Sequence, residues 1–230
     1  DDDGTALLEA SKKGDLVKVK SLIAEGADVN KSDDDGETPI YIAHKNGHDN
    51  VVNALIAAEG LDMVEALRFA SSQGQLKVVV ELIKKGASVD KADMYGSTPL
   101  HLASENGHLD VVQALLDKGA SVDKAITYNG ATPLSMASLF RHLDVVNELI
   151  KRGADVNQAD KYGMTPIFWP SRDGYLEIVE ALIAKGAVVN EANIEHADKN
   201  HHSKVAQALR AAGAVVSPEV LKVYEKAQDK

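Results

Sequence analysis

Thr98-Pro99-Leu100-His101-Leu102-Ala103 is the stretch whose reading decides the fold. A threonine hydroxyl can accept from the free amides at a helix start, and proline suits the first helical position, where an N–H is not needed. Leu100, Ala103 and Ser104 then fall on one face at helical spacing. Gly107 ends this short helix because glycine tolerates positive φ. A second helix is predicted through Leu109, Val111, Val112, Ala114, Leu115 and Leu116, and Gly119 stops it in the same way. Ahead of the threonine, Asp93-Met94-Tyr95-Gly96 reads as the tip of a turn. Beyond Gly119, Ala120-Ser121-Val122-Asp123 leads into an extended loop.

The same phrases recur along the chain. Gly-Ala-x-Val-Asn/Asp starts at Gly26, Gly86, Gly119, Gly153 and Gly186, with weaker copies at Gly60 and Gly213; the spacings are 34, 26, 33, 34, 33 and 27 residues. Thr-Pro returns at Thr38-Pro39, Thr132-Pro133 and Thr165-Pro166. Gly47-His48-Asp49-Asn50-Val51-Val52, Gly107-His108-Leu109-Asp110-Val111-Val112 and Arg141-His142-Leu143-Asp144-Val145-Val146 mark the middle of three copies. A period near 33 residues indicates stacked repeats, each unable to bury its own apolar stripe.

Thr98 to Ala103 matches the T-P-L-H-x-A signature, and the chain resembles the ankyrin-repeat family over nearly its whole length. The resemblance implies an all-α solenoid of seven helix-pair copies with β-turn fingers. The copies run over about 1–33, 34–62, 63–92, 93–125, 126–159, 160–191 and 192–216, in one domain spanning 1–230. Ser217-Pro218-Glu219 looks like a fresh helix start, so 217–230 is expected to cap the stack, with Val220, Leu221, Tyr224 and Ala227 as its buried stripe. The first copy, with Thr5-Ala6-Leu7-Leu8, caps the other end.

Three copies depart from the pattern. The copy from Met63 lacks the turn and the Thr-Pro start, so its finger should be missing and leave a notch between the fingers at Gly36 and Gly96. The last copy is shortened likewise. In the sixth, Pro170 falls inside the first helix, where it removes a hydrogen bond and clashes with the preceding turn at a cost of about 3 kcal/mol. That helix is expected to be distorted or cut short.

Composition bounds the function. The net charge of −10 argues against nucleic acid and against anionic membrane surfaces. The absence of cysteine removes disulfides and thiolate sites; it fits a reducing, cytoplasmic setting for a natural chain and equally fits an engineered one, whose location it leaves open. No secretory leader is legible at Asp1-Asp2-Asp3-Gly4, and the missing initiator Met points to a trimmed or processed chain. No nucleotide-binding, zinc-protease or nucleophile-elbow motif occurs. His196, His201 and His202 lack a specific ligand spacing, so no metal is expected. Asp33-Asp34-Asp35-Gly36-Glu37 lacks the EF-hand pattern and reads as an acidic patch. His48, His108 and His142 share one repeat position and are framework residues that hydrogen-bond between copies. Neither an enzyme nor a cofactor is indicated.

The aromatics are three Phe, six Tyr and one Trp. Tyr95, Tyr128, Phe140, Tyr162, Phe168 and Trp169 all lie within three consecutive copies. In the ankyrin pattern, turn tips and first helices form a concave inner face. The resemblance therefore places Met94, Tyr95, Tyr128, Asn129, Leu139, Phe140, Lys161, Tyr162, Met164, Phe168, Trp169, Arg172 and Asp173 on a partner-binding surface. Tyr, Trp and Arg dominate interface hot spots. Phe168 and Trp169 have an alternative use as fillers between copies. The pattern also resembles designed ankyrin-repeat binders, whose varied positions would here hold Met94, Tyr95, Ser97, Glu105 and Asn106 and their counterparts in the next two copies; a natural domain fits equally. The expected function is binding a protein or peptide target, with the chain monomeric when free. The alternative is a spacer or scaffold with no specific ligand.

Overall fold

Three of the four Thr-Pro pairs open a helix at the proline, over Pro39–Lys45, Pro99–Glu105 and Pro133–Leu139, each seven residues long. The hydroxyls of Thr98 and Thr132 accept from the N–H groups of His101 (3.4 Å) and Ser135 (3.1 Å). These bonds satisfy one of the free donors at each helix start.

The structure, a computed structural model, describes residues 3–213; the expected cap at 217–230 lies outside them. Two compact units make up the chain, Asp1–Lys91 and Ala92–Lys230. The first holds α1 (Asp3–Lys13), α2 (Leu16–Ala24), α3 (Pro39–Lys45), α4 (Asp49–Ile56), α5 (Met63–Ser72) and α6 (Leu76–Lys84). The second holds α7 (Pro99–Glu105), α8 (Leu109–Asp117), α9 (Pro133–Leu139), α10 (Leu143–Lys151), α11 (Phe168–Asp173), α12 (Leu176–Ala184), α13 (Glu191–Lys199) and α14 (Ser203–Ala211). These are the seven expected helix pairs. Among the described residues there is no strand, so the fingers expected between copies exist as hydrogen-bonded turn loops only.

Within each unit the helices pack in two rows. In the first unit α1 meets α3, while α2, α4 and α6 follow one another. In the second, α7, α9, α11 and α13 form one row and α8, α10, α12 and α14 the other. Leucine fills the space between rows: Leu7, Leu55, Leu67 and Leu82 in one unit, Leu100, Leu115, Leu134 and Leu149 in the other, are fully buried. Burial of each such side chain contributes about 2 kcal/mol. Ala43, Ala70, Ala103, Ala137 and Ala197 are also fully enclosed, which lets neighbouring first helices approach closely.

The shared histidine ties copies together. His48 Nε2–H donates to Lys12 O (3.1 Å) and His142 Nε2–H to Glu105 O (2.9 Å). Each ring lies on the glycine that ends the previous first helix. A Cβ on Gly14 would meet the ring of His48 at 2.5 Å, and one on Gly107 would collide with the ring of His142. Both glycines also have positive φ, 71° and 73°, so both backbone conformation and space demand glycine.

The fourth Thr-Pro pair behaves as its sequence predicts. Pro166 and Ile167 form a turn, with Phe168 N–H bonded to Thr165 O (2.9 Å), and α11 starts only at Phe168 with six residues. Pro170 has no N–H for the carbonyl four residues back, so the regular ladder begins with Ser171 N–H to Ile167 O (3.1 Å). The shortened copies, without Thr-Pro, start on other caps. Asp62 caps α5 through Val64 and Glu65 N–H, both 3.0 Å, and Asn190 caps α13 through Asn193 N–H (2.9 Å).

Candidate functional site

The turn loops of the second unit are built on short polar side chains. Asp93 Oδ1 accepts from Tyr95 and Ser97 N–H, both 2.9 Å. Asp160 Oδ1 accepts from Tyr162 (2.8 Å) and Met164 N–H (2.9 Å), and Asn129 Oδ1 from Ala131 N–H (3.0 Å). Such side-chain turns fix the loop while leaving the tip residue to solvent. The tips are Met94, Tyr95, Tyr128 and Tyr162, exposed to 85%, 57%, 67% and 64%.

The loops are also clasped to one another. Thr127 donates to Tyr95 O through both its N–H (2.9 Å) and its hydroxyl (2.6 Å). Lys161 N–H donates to Asn129 O at 2.9 Å, and Lys161 Nζ donates to Thr127 O. Gly96 and Gly130, with φ of 89° and 81°, permit the approach. A Cβ would lie 2.5 Å from Thr127 N at position 96 and 2.9 Å from Lys161 N at position 130. Three tyrosines are thus carried on loops joined backbone to backbone, so part of the ordering cost of binding is already met.

Beside the loops, Phe140 follows α9 and is 45% exposed, with Leu139 half-buried next to it. On α11 the Arg172 guanidinium lies 4.2 Å from the centroid of the half-buried Trp169 ring and grips Asp173 through two bonds, 2.6 and 3.1 Å. The Asp173 hydrogen bond holds the Arg172 pKa above its ordinary value.

Three of the expected surface residues sit apart from the exposed tips. Phe168 is buried, edge-on to Trp169 (5.1 Å) and to His196 (5.2 Å), and is a packing residue. Asn129 and Met164 are half-buried and spend their polar groups on closing and joining loops. Two contributors were missed. Thr127 is the clasp between loops, and its hydroxyl beside the tip was the available signal. Arg141 stands where most other copies have glycine and keeps positive φ (66°), its guanidinium 4.9 Å from the Tyr175 centroid.

The side chain at the His101 position differs from copy to copy, and Ser135, which holds it ahead of a looped copy, bonds only within its own copy, to Thr132. His101 Nε2–H donates to Ala131 O in the adjoining loop (3.2 Å). Tyr41 and Phe168 hold the same place in their copies, and each precedes a copy without a loop. Tyr41 meets Phe69 edge-on at 5.0 Å, as Phe168 meets His196. Aromatic packing replaces the bond to a loop that is not there.

Among the described residues no group of three or more His, Asp or Glu is placed to hold a metal ion. The family model described as ankyrin repeats (3 copies) matches residues 1–66, 62–126 and 122–193. The chain belongs to the ankyrin-repeat family. Ankyrin repeats are a non-catalytic fold with a general capacity for protein–protein interaction. An ankyrin repeat protein of Variola virus is 31% identical over 100 residues, 40% of this chain and 18% of the viral protein. Diacylglycerol kinase zeta of Rattus norvegicus is 33% identical over 104 residues, 42% of this chain and 11% of the kinase. Mitochondrial disaggregase of Bos taurus is 34% identical over 105 residues, 42% of this chain and 16% of its own length. The chain thus matches less than a fifth of each of these relatives, all of them natural proteins that lend no support to the likeness to designed binders. Among the described residues no helix is long and apolar enough to cross a membrane.

Proposed function

We propose that the second unit binds a protein or peptide through Tyr95, Tyr128, Tyr162 and Phe140, flanked by Met94 and by the Trp169–Arg172–Asp173 group. One observation carries this reading: three largely exposed tyrosines sit on loops clasped by Thr127 and Lys161. Exposed aromatic rings on rigid supports bury large area at low entropy cost, which is the character of interface anchors. Leu139, Lys161, Asn129 and Met164 support the loops and helix ends that carry these anchors. Phe168 serves from behind, as packing under Trp169.

The test is capture of binding proteins on the immobilised chain, with the Tyr128→Ala/Phe140→Ala/Tyr162→Ala variant in parallel. The captured protein is then titrated against both. Loss of about 2 kcal/mol or more of binding free energy, with unchanged circular dichroism, is expected. Equal affinity for the two chains would remove this surface from consideration.

A further inference from the structure

In the first unit the missing loop leaves a cleft of about 220 Å³. The loop of residues 33–37 forms one side through Gly36, and Thr38 and Ile40 of the same copy continue it. Leu61, Asp62, Glu65, Ala66 and Phe69 of the shortened copy form the other side. The two first helices bordering it, α3 and α5, are packed more loosely than α1 and α3. Beside Gly163, which precedes the other shortened copy, nothing lies within 4 Å of a Cβ either, whereas the two remaining places of the second unit are filled by the chain itself. There the next loop donates an N–H to Tyr95 O or Asn129 O, and a Cβ on Gly96 or Gly130 would collide with it. Asp35 occupies the position of Tyr95, and nothing lies within 4 Å of a Cβ placed on Gly36. The receiving side of the joint is present and the inserted side is absent.

The rim selects what enters. Asp33 turns its carboxylate onto the N–H groups of Asp35 and Glu37, and Asp62 caps α5. Glu37 is bonded to Lys45 and Glu65 to Arg68, both at 2.6 Å. Asp34 and Asp35 add two exposed carboxylates on the loop whose Gly36 lines the cleft, while Asp62 and Glu65 are themselves lining residues. An acidic rim over a floor of Ile40, Ala66 and Phe69 suits an apolar side chain next to a cation.

We infer that this cleft receives an extended, basic peptide segment of a partner protein, which takes the place of the missing loop. Its backbone N–H bonds to Asp35 O as Thr127 N–H bonds to Tyr95 O. One apolar side chain lies against Ile40, Ala66 and Phe69, and its lysine or arginine neighbours meet Asp34, Asp35 and Glu65. This mode adds backbone hydrogen bonds for affinity and a pocket for selection. It is independent of the tyrosine surface of the second unit.

The experiment titrates a fluorescein-labelled hexapeptide, Ala-Lys-Leu-Lys-Leu-Ala, into the full chain and follows amide shifts by NMR. Shifts at Gly36, Leu61, Glu65 and Phe69 are expected. The Ala66→Phe variant, which fills the cleft, should weaken binding at least tenfold, and so should the surface variant Asp34→Lys/Asp35→Lys, which leaves the cleft open. A peptide with glutamate for lysine should not bind, and Tyr128→Ala/Tyr162→Ala should bind as the unaltered chain does. Absence of binding, affinity unchanged by both cleft variants, or shifts confined to the second unit would each overturn the proposal.

Discussion

Arg141 lies over the ring of Tyr175, its guanidinium carbon 4.9 Å from the centroid. In most other copies this pair of positions holds glycine and histidine, as in Gly107 with His142 and Gly174 with His202. The two departures belong together. A histidine ring pressed on the helix end leaves no room for a Cβ, whereas Tyr175 leaves room for a side chain that stacks on it. Arg141→Ala keeps the positive φ and loses the stacking, so it should cost about 1 kcal/mol. Arg141→Gly relieves the backbone and should be nearly neutral. Gly107→Ala meets both strain and the His142 ring and should cost about 2 kcal/mol or more. Urea denaturation of the three variants gives this order; equal costs for Gly107→Ala and Arg141→Ala would contradict it.

His101 makes stability depend on pH. Its Nδ1 accepts from the Thr98 N–H (3.2 Å) and its Nε2–H donates to Ala131 O, so the buried ring is neutral. Burial lowers its pKa to about 4. An unfolded histidine titrates near 6.5, so the unfolded chain takes up a proton that the folded chain refuses. The contribution is full above about pH 6.5 and declines as pH falls from there towards 4, by up to roughly 3 kcal/mol. Denaturation midpoints measured between pH 7 and pH 4 should fall, and His101→Gln should flatten that dependence. A slope identical in both chains would contradict the assignment.

The clasped loops predict a difference between glycines of similar φ. Gly96 at 89° faces Thr127 N, while Gly163 at 78° has nothing within 4 Å. Gly163→Ala should cost about 1 kcal/mol through backbone strain alone. Gly96→Ala should cost clearly more and also weaken partner binding, because the tip of Tyr95 shifts. Thermal melts of the two variants make the comparison.

Ser104 and Ser138 occupy one repeat position on the buried face of α7 and α9, and their hydroxyls have no hydrogen-bond partner in the structure. Replacing either by alanine removes a desolvated polar group without opening a large cavity. Ser104→Ala and Ser138→Ala should each stabilise by about 1 kcal/mol. A loss of stability in urea would show that the hydroxyl is satisfied in solution.

Much of the fold was legible because each copy states it again. Thr-Pro, the closing glycines and the leucine stripes located the helix pairs, and Pro170 foretold the late start of α11. The expected fingers took no strand form, since each loop is held by side-chain turns and isolated bonds. The candidate site was read less well. Exposure of Tyr95, Tyr128 and Tyr162 follows from their place at loop tips. Phe168 was left with two readings because a ring looks the same in sequence whether it anchors a partner or fills the gap before a loop-less copy; its burial favours the filler. The cleft beside Phe69 was foreseen only as a missing finger; the stretch 33–37 was legible as an acidic patch, but its meeting with Asp62 and Glu65 depends on residues apart in the chain.

The residue three places after the capping threonine amounts to a grammar for lengthening the protein. Histidine there, as in His101, reaches the successor's loop, serine, as in Ser135, bonds within its own copy, and Tyr41 and Phe168 pack on a successor without a loop. An engineer inserting a looped module after the second copy would therefore need to change Tyr41 along with it, or the new junction would hold a phenol where a carbonyl expects a donor.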